Sequence, residues 1–465
     1  MRRIAALAIV CCSMATRLPA EDQLQADFRG EGTRFDASCL HPLGSIFGAV
    51  AGCGQLLFTD HPLHIAVGSL APQNGFGAGV ALTTHYTPNE NWRLFFDFDG
   101  IASANGSWRA GGYMTAVLIR HPKIVVLPGG SSSTSSGPAI QEMPAFHLYG
   151  QSISLTKLTY FGLGQDASET ARSYYGMTET IAGANVVWPL FAPLNVSLFG
   201  EANGRFTSLR GNHNETSPSI ETVNNNLTAP GLFNQPAYAQ FGEGIRVRPV
   251  FANGHVRLNY SAGFQEWVSG DTGSSFRRFT ADLGHEFPLY SGSRSLNPQE
   301  FNGPDSCLQD VNAKGCPAIT HNLEGSFGVR FLYTASFIPG SNAIPFYLDP
   351  TLGGSDINGT TLLPSYTDYR FRGPNLLLLR GSFEHSIYKW PVGVKLMIDE
   401  GRVALTHSDL GFDHLAHSYA AGLTVHAGGL PVIDLLFAWG GHEGTHNIAN
   451  VNSSLLGGTA RPSLY

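Results

Sequence analysis

Residues His442–His446 read HEGTH, which matches the H-E-x-x-H pattern of zinc proteases. In those enzymes the motif lies on a helix, where both His side chains bind the metal and the Glu acts on the bound water. Here Gly444 and Thr445, both poor helix formers, stand inside the string, and Gly440-Gly441 precede it. We therefore predict a surface loop between the last two strands, with no metal bound.

The other histidines point to no catalytic centre. His414 and His417 are closely spaced in another predicted loop, and no third metal ligand stands near them; the remaining members of the 17 His are scattered. A membrane-embedded enzyme using Ser or His chemistry is the alternative, but no nucleophile and base stand together. We predict that the protein is not an enzyme and has no catalytic residue, cofactor or metal.

Four cysteines beyond the N-terminal segment form two local pairs along the chain. Cys39 and Cys53 are one pair and Cys307 and Cys316 the other, each among turn residues. In an oxidising compartment such pairs predict two disulfides. A zinc site built from Cys and His is the alternative, although Cys307 and Cys316 lack the close spacing of zinc ligands.

The N-terminus has the order of a secretory signal. Arg2 and Arg3 precede an apolar stretch, residues 4–15, and small residues follow before Glu21. Cleavage is expected after Ala15 or Ala20, and a lipoprotein site at Cys11 or Cys12 is a weaker alternative. Without residues 1–20 and their three Arg, 25 basic residues face 35 acidic ones, so nothing favours nucleic-acid binding.

Composition indicates a membrane protein that crosses with strands. Only 14% of residues are charged and 43% are hydrophobic, with 55 Gly and 11% aromatics, whereas soluble domains carry about 25% charge. No apolar run of about 20 residues exists outside the first residues. This combination predicts a transmembrane β-barrel, in which apolar and polar positions alternate.

Strict alternation supports that prediction. Residues 194–206, 256–264, 279–287 and 327–337 each place apolar side chains on one face and polar or charged ones on the other. Each run is close to the 9–11 residues that cross a bilayer at a tilt. A secreted sandwich or propeller also alternates, but more than 400 residues without an interdomain linker make it the weaker alternative.

Strand-like runs number about 14 to 16, from near Asn74 to a last strand near Asn452–Tyr465. Polar segments separate them, notably residues 129–137, 211–237 and 291–322. The fold predicted is all-β, a transmembrane antiparallel barrel of about 16 strands.

Residues 350–403 contain the most distinctive motifs. Leu352-Gly353-Gly354 and the Arg-Phe-Arg-Gly run Arg370–Gly373 precede a strand with Met397, Asp399 and Gly401. This arrangement resembles the bacterial surface antigen family, the barrel of BamA/TamA-type outer-membrane proteins. In that family a long loop enters the barrel through an Arg-Gly-aromatic tip and docks on an aromatic-x-Asp-x-Gly strand. Here Met397 replaces the aromatic residue, and Asn358-Gly359 stands where the docking Arg-Gly is expected.

The resemblance implies an infolded loop near 350–373 whose docking motif comprises Asn358, Gly359, Arg370, Arg372, Gly373, Asp399 and Gly401. It places Asp399 in the lumen, where a buried charge needs a partner. Either Asn358 bonds Asp399, or Arg370 or Arg372 takes the place of the missing arginine. Alternatively, both arginines are solvated loop charges.

The expected organisation is a signal peptide (1–20), a short periplasmic segment (21–60) and the outer-membrane barrel (61–465). The short segment leaves no room for the periplasmic POTRA domains of many relatives. The resemblance implies outer-membrane biogenesis, by protein insertion, translocation or lipid transfer at a seam weakened by Asn74–Gly79 and Gly457-Gly458. Expected partners are outer-membrane lipid, unfolded outer-membrane proteins and periplasmic proteins. Alternatives are a passive pore or transporter, and a structural, surface-exposed barrel.

Overall fold

A computed structural model describes residues 29, 32, 35–40, 62–89, 91–118, 143–271, 273–295, 320–340, 342–387, 392–427, 430–441 and 443–451. Several predicted features lie outside these residues: the signal peptide, most of the segment 21–60, three of the four paired cysteines, the 129–137 tract and the strand near 452–465.

The described chain is almost entirely β-strand. The strands are β1 (Leu63–Ser69), β2 (Phe76–Asn89), β3 (Trp92–Ser103), β4 (Trp108–Leu118), β5 (Ala145–Tyr160), β6 (Ser173–Phe191), β7 (Val196–Gly211), β8 (Tyr238–Val247), β9 (Val250–Phe251), β10 (Val256–Ser269), β11 (Phe276–Ser295), β12 (Thr320–Phe337), β13 (Thr351–Leu352), β14 (Phe371–Arg372), β15 (Asn375–Ser386), β16 (Val392–Ala404), β17 (Ala416–Ala427), β18 (Leu430–Trp439) and β19 (His446–Val451). Helical turns are short: Asp36–Leu40, Glu169–Ala171, Ala192–Leu194, Ile220–Val223, Ala252–Gly254, Phe346–Leu348 and His407–Asp409.

Seventeen strands form one antiparallel sheet, while β13 and β14 form a separate two-residue hairpin. Each long strand pairs with the next long strand along the chain, from β1–β2 to β18–β19. The two-residue strand β9 pairs with the start of β10, whose remaining residues pair with β8. The described residues therefore form sixteen successive strand positions in this sheet, in agreement with the predicted barrel of about 16 strands. The first described strand is β1, which was not predicted: the Gly-rich run Asn74–Gly79 belongs to the turn and to the start of β2.

The two faces of the sheet follow the predicted alternation. On β7, Leu198 and Phe206 are exposed on the outer face, whereas Asn203 and Arg205 are buried on the inner face. Large exposed apolar residues recur on the outer face of most strands, an arrangement that requires an apolar surrounding such as lipid. No helix among the described residues has the length and apolar character needed to cross a membrane.

The sheet curls around the connection between β12 and β15, residues 338–374, which we call the lumen segment. None of residues 344–374 is exposed. Phe346 packs on Tyr160 of β5 and Tyr175 of β6, with ring centroids 4.8 and 5.2 Å apart. On the other side, Ser365 N–H donates to Ser418 Oγ of β17 at 2.8 Å. Contacts with strands so far apart in the ladder show that the sheet curls around the segment as the wall of a barrel does, and the infolded loop predicted near 350–373 is confirmed.

The lumen is apolar at one end and polar at the other. The apolar end lies where β5–β6, β7–β8 and β12–β15 are connected, and we call it the loop end. There, a cluster of buried residues joins the lumen segment to the inner face of the sheet and to residues such as Ile220 and Leu232 of the β7–β8 connection. The opposite, terminal end lies where the chain enters β1. Towards it, partly exposed ion pairs such as Arg330–Asp282 line the inner face.

Candidate functional site

The lumen segment is held in place by aromatic anchors and by backbone hydrogen bonds to the barrel. Phe346, Tyr347 and Leu348 form a buried helical turn, and Arg278 of β11 donates to the Leu348 carbonyl at 2.9 Å. Further on, Gly164 N–H in the β5–β6 connection donates to the Arg372 carbonyl at 2.7 Å. Burial of its apolar side chains therefore stabilises the segment inside the barrel, and the hydrogen bonds determine where each part of the segment lies.

Glycines allow the segment to turn inside the lumen. Gly353 has a φ of +106°, and a Cβ there would lie 2.5 Å from Arg370 Cβ and 2.8 Å from the Thr367 carbonyl oxygen. Gly401 of β16 allows a close approach instead, since a Cβ there would lie 3.0 Å from a methyl carbon of Leu352. The lumen segment can therefore pack closely against β16, because Gly353 allows its turn and Gly401 leaves room for Leu352.

We expect Gly353→Ala to destabilise the folded barrel by about 3 kcal/mol, because both the backbone conformation and the clash oppose a side chain. Gly359→Ala is the matched control, since Gly359 also has a positive φ, +83°, but nothing lies within 4 Å of its would-be Cβ. Thermal unfolding in detergent measures both. A loss as large in Gly359→Ala would mean that backbone strain alone, and not the contact with Arg370, is responsible.

Asp399 lies on the inner face, as the resemblance implied, and is fully buried. Its neighbour in the β15–β16 register, Arg380, donates to both carboxylate oxygens at 2.6 and 2.7 Å. The lumen segment supplies Leu363 N–H, which donates to Asp399 Oδ2 at 2.9 Å, and its Thr361 carbonyl accepts from Arg380 at 2.6 Å. Asp399 therefore anchors the segment through backbone groups.

The prediction that Arg370 or Arg372 pairs with Asp399 was wrong. Arg370 pairs with Glu443, both side chains being over 90% buried, and its guanidinium also stacks on the rings of Phe161 and Phe371. Arg372 donates to the Phe346 carbonyl at 2.8 Å. Neither arginine is a solvated loop charge. A residue of β15, Arg380, takes the role expected of the loop, because the hairpin register places it directly opposite Asp399.

Three consecutive residues of the lumen segment, Asp368, Tyr369 and Arg370, contact both the first and the last hairpin of the described sheet. We call these three residues the clasp. Tyr369 Oη donates to the Pro72 carbonyl in the β1–β2 turn at 3.1 Å, and Asp368 accepts from the Gln73 side chain. Arg370 reaches Glu443 in the β18–β19 turn. The two ends of the ladder are therefore joined through one short stretch of chain.

Asp349 is a buried carboxylate in the lumen segment, near Arg278 and Arg372. Burial, only partly offset by the two arginines, raises its pKa to about 7. The proton is therefore held more tightly in the folded barrel than in the unfolded chain.

The contribution of Asp349 to barrel stability should accordingly be fully present below the ordinary aspartate pKa of about 4 and be lost as the pH rises through about 7, since a raised pKa favours the protonated, folded form. Thermal unfolding of wild type and Asp349→Asn across this range measures the effect. The variant should show a flatter profile; an unchanged profile would assign the pH dependence to other groups.

The remaining predicted site residues have local roles. Asn358 and Gly359 form a turn in which Asp356 accepts from Asn358 N–H at 2.9 Å, and Gly373 passes close to the Ala404 carbonyl. Of the four paired cysteines, Cys39 is the one that lies within the described residues, so both predicted disulfides stay predictions.

The H-E-x-x-H string is not on a helix: residues 443–445 form the β18–β19 turn and His446 begins β19. No group of three or more His, Cys, Asp or Glu side chains suited to a metal occurs in the part of the chain that is described. Glu443, whose one predicted context was the H-E-x-x-H string, instead pairs with Arg370 of the clasp. No local sequence signal identifies that role.

No protein-family model matches the sequence, and no curated protein matches it. Among solved structures, the chain is similar to CdiB from Acinetobacter baumannii, with a TM-score of 0.45 and 10% identity over 82% of this chain and 57% of that one. It is similar to BamA from Haemophilus ducreyi lacking POTRA domains 1–3, with a TM-score of 0.45 and 11% identity over 84% and 68% of the two chains. CdiB from Escherichia coli gives a TM-score of 0.45 and 12% identity, over 82% and 58%. The chain thus spans less than two thirds of either CdiB chain.

Proposed function

We propose that this protein is an outer-membrane barrel, exported by a signal peptide in residues 1–20, that acts in outer-membrane biogenesis. It inserts or translocates protein, or transfers lipid, through a lateral opening between its first and last strands. Its partners are then outer-membrane lipid, unfolded outer-membrane proteins and periplasmic proteins. The observation that carries the proposal is the clasp, because it ties the two hairpins that such an opening must separate.

Two further features support passage through a lateral opening between strands. The loop end of the lumen is packed with apolar side chains, which blocks passage along the barrel axis. The first described hairpin also has few large side chains on its inner face, because Gly77 and Gly79 of β2 stand opposite Gly68 and Ala66 of β1. A transient release of the clasp would then free the first and last described hairpins from the lumen segment while the rest of the ladder stays paired.

Reconstitution in lipid vesicles tests the proposal. The rate at which a small unfolded test barrel inserts is compared between vesicles with this protein, vesicles with a porin and empty vesicles. Insertion faster than with the porin supports the proposal. Insertion no faster than with the porin overturns protein insertion as the activity.

A passive pore or transporter is the second candidate, favoured by the polar terminal half of the lumen. Arg330–Asp282 and Lys395–Asp434 line it and remain accessible to solvent. Conductance through the same vesicles distinguishes the two. A large, stable current in the absence of any substrate favours the pore, since a clasped and packed lumen should conduct little.

A further inference from the structure

Glu243 of β8 interrupts the apolar outer face of the barrel. A Cβ at Gly242 would lie 2.6 Å from the Glu201 side chain, and one at Gly244 would lie 2.3 Å from the Phe199 ring. Glu201 belongs to the lumen, where it accepts from Gln240 at 2.9 Å. Because strand neighbours alternate, Glu243 points outward, and it is exposed.

Glu243 lies within the apolar band rather than at its edge. Its outer-face neighbours on β8, Phe241 and Ile245, are both exposed. Directly across the sheet are Gly200 of β7 and Phe264 of β10. A carboxylate in such a surrounding is costly unless it has a cationic partner, so an ionisable residue at this depth indicates a functional site.

A groove of about 620 Å³ opens on the outer face beside Glu243. Small residues such as Gly200 and Ala262 form its floor, where another backbone could approach closely. Bulky apolar side chains form its sides: Val186, Trp188, Leu198, Ile245, Phe264 and Phe279. Glu243 is the one ionisable residue among those that line the groove, and most of the others are apolar.

We propose that this groove binds a transmembrane segment of a partner protein that places a lysine or arginine opposite Glu243. A lipid brings only acyl chains to this depth, since its charged headgroup stays at the interface, whereas a side chain on a membrane-spanning backbone brings a cation. A second copy of this chain brings no lysine or arginine to this depth on its described outer face. There, the arginines Arg210, Arg277 and Arg402 lie within three residues of loop-end strand termini.

Binding of a defined probe to the full chain in lipid vesicles tests this inference. The probe is a synthetic Leu/Ala transmembrane helix with one central Lys and a terminal dye, compared with the same helix carrying Leu instead. Energy transfer from the barrel tryptophans to the dye measures association. Glu243→Gln removes the charge with little change in shape, and Glu266→Gln is the matched control, because Glu266 is also on the outer face but pairs with Arg277 near the rim.

Wild type and Glu266→Gln should bind the Lys helix about ten-fold more tightly than the Leu helix, as one ion pair or hydrogen bond within a membrane allows. Glu243→Gln should lose this preference while running as a folded barrel on unheated gels. Equal binding of the two helices to wild type, or a preference unchanged in Glu243→Gln, overturns the proposal. So does Glu243-dependent association of barrels without any peptide, which would assign the groove to a second copy.

Discussion

Asp399→Ala is expected to destabilise the folded barrel by about 3–5 kcal/mol, the usual cost of removing one partner of a buried ion pair. The substitution leaves the Arg380 guanidinium, only 14% exposed, without its carboxylate, and leaves Leu363 N–H without its acceptor. Both losses fall where the lumen segment meets the barrel wall. Thermal unfolding, followed as the loss of the folded band on unheated gels, measures the effect.

Asp282→Ala is the matched control for this prediction. Asp282 also accepts two hydrogen bonds from an arginine across the sheet, Arg330, both at 2.8 Å, but the two side chains are about a third exposed. Solvent-accessible pairs contribute at most about 1 kcal/mol, so this variant should unfold close to wild type. If both variants lose the same stability, the contact with the lumen segment adds nothing and the anchoring role of Asp399 is wrong.

Glu443→Ala is expected to release the last hairpin from the lumen segment. Arg370 would remain in a site where both side chains are more than 90% buried, and an unpaired charge there costs about 3–5 kcal/mol. The segment should respond by moving Arg370 towards water, which also pulls Tyr369 away from Pro72. Hydrogen exchange should therefore become faster in β1 and β19 and stay unchanged in β6 and β7.

The charge-swapped double variant Arg370→Glu with Glu443→Arg is the control, since it restores an ion pair with the opposite polarity. It should recover part of the protection that each single variant loses, which a general loss of folding would not allow. Uniformly faster exchange over all strands in Glu443→Ala would contradict the clasp. Vesicle conductance gives an independent readout, because a released segment should raise the current.

The side of the sheet to which each side chain points is a local property, and for that reason the sequence predicts it well. Successive side chains of a strand point to opposite sides, so the alternation in residues 194–206 is sufficient to separate Leu198 from Asn203 before any fold is known. The same reasoning predicts about 16 crossings. It missed β1, because its seven residues contain only three large apolar positions, too few to stand out beside the Gly-rich run that follows.

The pairing of Arg380 with Asp399 is local, because the two residues lie on neighbouring strands of one hairpin. Both strands were predicted, and in the hairpin they form Ser386 lies opposite Gly393, a register that brings Arg380 opposite Asp399. The prediction failed because it followed the resemblance, in which the docking arginine comes from the loop, instead of the register of this chain.

The clasp is a different case, which only the tertiary structure decides. Arg370 and Glu443 are 73 residues apart, and Tyr369 and Pro72 are 297 apart, so no local pattern relates them. Their contacts exist because the sheet curls until its first and last hairpins meet the same stretch of the lumen segment. Strand faces follow from the geometry of a few neighbouring residues. The pairing of buried charges across the lumen depends on closure of the whole sheet, which no single segment encodes.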